Sequence, residues 1–112
     1  MLGTAVIHTT PGETMPAYVL IDIDIQDSDR FGQYVEAITP MLEPADARAV
    51  SFDPNPSILE GDWTPSTIVV LEFPTKTAAD TFFAADEYQP LRTLRHSIAT
   101  TNIVIAETAA AE

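Results

Sequence analysis

The chain has no cysteine. That excludes disulfides, thiolate nucleophiles and cysteine-based zinc sites together. It has five Lys and Arg against seventeen Asp and Glu in 112 residues, a formal net charge of −12. So acidic a surface repels phosphate backbones and anionic lipid headgroups, which argues against nucleic acid and membranes as partners. No apolar run reaches the ~18 residues that a spanning helix needs. No Gly-rich phosphate loop, G-x-S-x-G elbow or zinc-spaced His pair occurs, so nucleotide cofactors and serine hydrolysis are poorly supported. The opening stretch MLGTAVIHTTPGET carries no Lys or Arg, whereas a secretory leader wants a positive start. The cytoplasm is the expected location.

What is present is a 46% hydrophobic composition. A chain of this length forms one domain and buries roughly two-thirds of its unfolded surface, enough for a core without disulfides or a metal. Residues 1–14, with the turn-rich TTPGET and a second possible start at Met15, read as an N-terminal arm with His8 exposed. Residues 15–107 read as the domain and 108–112 as a tail.

AYVLIDIDIQ (17–26) alternates strictly and reads as a strand, with Ala17, Val19, Ile21, Ile23 and Ile25 on one face. Asp27 or Ser28 can cap a helix whose stripe is Phe31, Tyr34, Val35, Ile38 and Leu42, with Pro40 expected to kink or end it. ARAVSF (47–52) and TIVVLEF (67–73) read as strands separated by the turns DPNPS and EGD. A helix opens at Pro74 and Thr75, a further helical turn begins at Asp86 with Gln89 as its capping-box partner, and Leu91, Leu94 and Ile98 continue the apolar side. NIVIAE (102–107) reads as the last strand.

This order, β-α-β-β-α-β, is the ferredoxin-like α+β pattern: an antiparallel four-stranded sheet with its helices on one face. Such a sheet usually leaves one face wet, and its strands then alternate cleanly. TIVVLEF and NIVIAE do not; Ile68, Val70, Val104 and Ala106 are apolar on the side the helices leave open. A second copy of the same sheet is the simplest cover, so a homodimer is expected.

MPAYVLIDIDIQD, LEGDW, VVLEFP, DEYQPLRTLR and the closing NIVIAE together resemble the bacterial family known as domain of unknown function 1330, over about residues 15–107. That family is similar to the dimeric α+β barrel superfamily, in which two ferredoxin-like subunits pack sheet to sheet. The resemblance implies that fold and a dimer. The superfamily includes cofactor-free monooxygenases, lactone isomerases, polyketide cyclases and haem-degrading enzymes, and fold alone does not choose among them. Relatives usually carry Gly-Gly after the first helix and again before the third strand; here Asp46-Ala47 and Asp53-Pro54 stand there.

In LRTLRHS, Arg92, Arg95 and His96 lie within about one helical turn, with Arg92 and His96 sharing a face. They read as an anion site in which the arginines hold a carboxylate or enolate and His96 moves protons. Alternatively they complement the helix dipole and pair with acids. Asp22 and Glu72, on adjacent strands in this fold, read as a carboxylate pair able to act as a base; a polar rim paired with arginines is the alternative. Asp24 accompanies them, and no metal site is expected. Trp63, Tyr18 and Tyr34 read as pocket walls or as core and interface residues. The functional expectation is a homodimeric enzyme that transfers protons on a small organic acid or polyketide-like molecule without a cofactor. His96, Arg95, Asp22 and Glu72 carry the chemistry, and Arg92, Trp63, Tyr18 and Tyr34 hold the ligand. Haem or flavin binding is a weaker possibility, with His96 the sole candidate axial ligand. A non-catalytic ligand-binding or structural dimer is the alternative.

Overall fold

The computed structural model describes residues 15–109; the expected N-terminal arm with His8, and all but the first two residues of the expected tail, lie outside them. The elements are β1 (Ala17–Ile25), α1 (Ser28–Leu42), β2 (Arg48–Asp53), β3 (Thr67–Phe73), α2 (Lys76–Ala84), a 3₁₀ turn (Asp86–Tyr88), α3 (Gln89–Ile98) and β4 (Ala99–Glu107). The four strands form one antiparallel sheet in the order β2-β3-β1-β4. This is the ferredoxin-like topology that the element order predicts.

The strict alternation in β1 decides which side is core. Ala17, Val19 and Ile23 are almost completely buried beneath the helices, with Leu71 and Phe73 of β3 beside them. Burying each of the larger side chains stabilises the fold by roughly 1.5–3 kcal/mol. Tyr34 and Ile38 of α1, Ala79 and Phe82 of α2, and Leu91 and Ile98 of α3 close the core from above.

The helix ends follow local chemistry. Asp27 caps α1 through the Arg30 amide at 3.1 Å. Thr75 caps α2 through the Ala78 amide at 3.0 Å. At the end of α1 the Ala47 amide donates to the Leu42 carbonyl and the Asp46 amide to the Glu43 carbonyl. That Schellman arrangement puts Asp46 at φ 60°, a left-handed conformation that glycine adopts freely and Asp only at a cost.

Pro40 does not end α1, which runs on to Leu42; a proline in the last turn gives up one hydrogen bond without stopping the helix. Two further local expectations are corrected. Gln89 forms no capping box, because its amide donates instead to the carbonyls of Phe83 and Ala85 at the end of α2. β4 begins at Ala99 rather than 102, since α3 passes into the strand with no loop and Thr100 and Thr101 pair with Asp24 and Ile23.

Candidate functional site

α1 does not fill the space beneath it. A cavity of about 120 Å³ remains, floored by Ile21, Ile23, Val69 and Leu71 and roofed by Tyr34 and Ile38. Val35, Thr39 and Phe52 are exposed at its rim, so the mouth lies between α1 and the edge strand β2. Among the described residues lining it, one is charged: Arg95.

α3 delivers that charge on its buried side. Tyr88, Leu91, Arg95 and Ile98 recur at helical spacing, and all four are buried. Arg95 is only 5% exposed. Its Nε donates to the Tyr88 hydroxyl at 3.3 Å, and that hydroxyl lies 2.7 Å from the hydroxyl of Tyr34. Tyr88 is itself clamped by the rings of Phe82 and Phe83, at centroid distances of 5.7 and 5.0 Å. Among the described residues no carboxylate pairs with Arg95; the ion pair there is Arg48–Glu72. A guanidinium stays charged in proteins, and burying it without a counter-ion costs several kcal/mol. Burial, and then Tyr88 beside it, push the Tyr34 phenol far above its ordinary range, and Arg95 opposes this only in part. The Tyr34 phenol therefore keeps its proton, as a hydrogen-bond donor and not as a ready acid.

Arg95 is also a wall of a second, more open space. This groove of about 650 Å³ lies between α2, α3 and β4 and is lined by Lys76, Phe83, Arg92, His96, Thr101 and the isoleucines of β4. Arg92 donates through Nη2 to the Phe83 carbonyl at 3.1 Å, satisfying the end of α2. His96 is exposed.

Four other candidates lie on the opposite face of the sheet. The Asp22 carboxylate accepts from Trp63 Nε1 and from the Ser66 amide, both at 3.0 Å, and so ties the long β2–β3 loop to β1. The loop turns at Gly61, whose φ of +100° suits glycine. Glu72 accepts from Arg48 Nε at 2.6 Å and from the Tyr18 hydroxyl at 3.2 Å. Partial burial and that bond to Glu72 raise the Tyr18 phenol above its ordinary value.

The candidates thus divide among three places. Arg95 and Tyr34 meet at the cavity, Arg92 and His96 at the groove, and Tyr18, Asp22, Glu72 and Trp63 on the open face. Asp22 and Glu72 share that face but do not meet: Asp22 is opposite Ile68 and Glu72 opposite Tyr18, a separation of about 13 Å along the strand. Asp24 is exposed, and no three His, Asp or Glu among the described residues are placed to hold a metal ion. Sequence reasoning missed Tyr88, whose seven-residue spacing from Arg95 was the available signal. It also missed Lys76 and Thr101, which no pattern marks.

Solved structures share this fold. A protein of unknown function from Rhodopseudomonas palustris, RPA0582, superposes with a TM-score of 0.71 at 13% identity, over 96% of this chain and 99% of that one. SnoaB, a cofactor-independent oxygenase from Streptomyces nogalater, superposes with a TM-score of 0.61 at 13% identity, over 88% of this chain and 96% of its own. A conserved protein from Bacteroides thetaiotaomicron described as a possible oxidoreductase gives 0.52 at 9% identity, over 86% and 99%. At these identities the likeness is one of fold. No curated protein matches the chain. Residues 16–109 match the family described as a domain of unknown function, DUF1330, and with nearly the whole folded chain covered, the protein belongs to that family.

Proposed function

We propose that this protein binds a small organic acid in the cavity beneath α1 and moves a proton on it without a bound cofactor. The observation that carries this reading is Arg95: a buried cation, without a carboxylate partner among the described residues, at the wall of an apolar cavity. An anionic ligand group would supply the missing counter-charge. The volume favours a small acid over a polyketide-like one, since a cavity of roughly 150 Å³ holds about one benzene ring. Solvent water takes the acidic C–H proton of the bound acid and later returns one, while the Tyr34 hydroxyl and Arg95 stabilise the enolate oxygen by hydrogen bonds. With Arg95 Nε donating to Tyr88 and Tyr88 to Tyr34, both phenol oxygens have a donor and the Tyr34 proton is left for a ligand, as are the remaining Arg95 donors. A fold shared with a cofactor-independent oxygenase supports chemistry of this kind. In this reading His96 and Arg92 lie on the far side of Arg95 from the ligand.

The protein acts as a homodimer in the same reading. Leu20 lies between Val70 and Val104 on the open face. Val104 is 60% exposed, and Trp63, also exposed, lies beside it on the same side. A second sheet covers this apolar patch best.

The test is a thermal-shift titration with benzoate and with small keto acids, on the wild type and on Arg95→Met. A ligand at a hundredfold its dissociation constant stabilises the wild type by about 2.7 kcal/mol. Arg95→Met folds with stability close to the wild type, because an apolar side chain of similar length replaces a buried unpaired charge, and it shows no shift. Equal shifts in both proteins remove Arg95 from the site. Keto acids that bind are then incubated in D2O. Deuterium entering their acidic C–H position, and its loss in Tyr34→Phe, marks proton transfer. Binding without exchange leaves a ligand-binding dimer, a reading favoured if Tyr34 is the donor in its 2.7 Å bond to Tyr88 and so has no proton free for the ligand.

A further inference from the structure

We propose that the groove between α2, α3 and β4 is a second binding site, built for a small phosphate monoester with an apolar group. The first ground is the distribution of charge. The chain has five Lys and Arg against seventeen Asp and Glu, yet Lys76, Arg92 and Arg95 all line this one groove, with His96 beside them. No Asp or Glu is among the described residues that line it. On so acidic a protein, a cationic groove free of acids focuses the field on an incoming anion.

The second ground is a side chain without a partner. Thr101 lines the groove, and its Oγ1, covered in this rotamer, makes no hydrogen bond within the described residues. Rotation about χ1 turns that hydroxyl toward a ligand oxygen, which satisfies it. The third is the position of Lys76. It is the first residue of α2, whose first turn holds no acid, and a cation there opposes the helix dipole. An anion in the groove removes that conflict.

The groove asks for more charge than a carboxylate carries. Arg92 commits Nη2 to the Phe83 carbonyl, which leaves most of its five donors. Lys76, His96 and the Thr101 hydroxyl add further donors around the same space. A phosphate monoester carries about −1.5 to −2 at neutral pH and three strong acceptor oxygens. Phe83, Ile103 and Ile105 supply an apolar wall for the organic group. This site does not rest on the cavity reading, although Arg95 borders both spaces.

Isothermal titration calorimetry with phenyl phosphate, at an ionic strength of about 50 mM so that screening does not hide the charges, tests it. The wild type binds. Lys76→Gln with His96→Gln, both changes at exposed positions, keeps the wild-type melting temperature and binds at least tenfold more weakly. Thr101→Val, which keeps shape and removes only the hydroxyl, weakens binding several-fold. The double variant leaves the benzoate shift of the cavity unchanged, so the two sites fail or succeed separately. Absence of phenyl phosphate binding to the wild type overturns the proposal, and so does binding that both variants leave intact.

Discussion

The hydroxyls of Tyr34 and Tyr88 lie 2.7 Å apart across the core, joining residues 54 positions distant in sequence. Tyr34 comes from α1 and Tyr88 from the turn before α3. The bond ties the roof of the cavity to the helix that carries Arg95.

Because each hydroxyl satisfies the other, removing either one leaves a buried polar group behind. Tyr34→Phe and Tyr88→Phe are each expected to lower stability by about 1–3 kcal/mol. Tyr88→Phe is the more costly, since Arg95 also loses its acceptor. The double variant costs less than the sum of the two, with a coupling of at least ~0.5 kcal/mol. Urea denaturation of the four proteins measures this, and simple additivity would mean that the bond contributes nothing.

The raised Tyr34 phenol has a consequence at alkaline pH. The unfolded chain releases the Tyr34 proton near its ordinary value of 10.0, while the fold retains it. Tyr34 therefore contributes its full stability below pH ~10, and that contribution falls as pH rises further, by up to about 1.4 kcal/mol per unit. Denaturation midpoints between pH 8 and 11 are expected to fall more steeply for the wild type than for Tyr34→Phe. Identical slopes would show that Tyr34 is not protected.

Asp22 holds the β2–β3 loop by two bonds, one of them to the single tryptophan. Asp22→Ala is expected to free the indole, shift its fluorescence to the red and lower stability by about 1–2 kcal/mol. An unchanged emission maximum would mean that the carboxylate does not set the environment of Trp63, which shares an apolar pocket with Leu20 and Ile68.

The apolar open face is tested by placing a charge in its middle. Val104→Asp is expected to convert a species of two chains into a single chain in analytical ultracentrifugation, with little effect on the monomer fold because the side chain is 60% exposed. A single-chain mass for the wild type would sink the dimer.

Much of the fold was legible because each strand declares its faces. The alternation of β1 and the apolar outer positions Ile68, Val70 and Val104 announced a sheet with helices on one side and an apolar surface on the other. The apolar residues of α3 predict a stripe of Leu91, Leu94 and Ile98. The buried set is Tyr88, Leu91, Arg95 and Ile98. A charged residue on a core stripe is what a hydrophobic pattern passes over, and here it is the residue that borders both spaces.

The sequence by itself determined the order of elements, the faces of the strands and the family, because these depend on period and local turn chemistry. Only the tertiary structure decided which polar side chains meet. Strand register set Asp22 and Glu72 four residues apart along neighbouring strands, and the rotation of α3 turned Arg95 inward toward Tyr88 and left His96 outside. Register and helix rotation are fixed by packing between distant segments, and packing is a property of the whole fold that no local stretch contains.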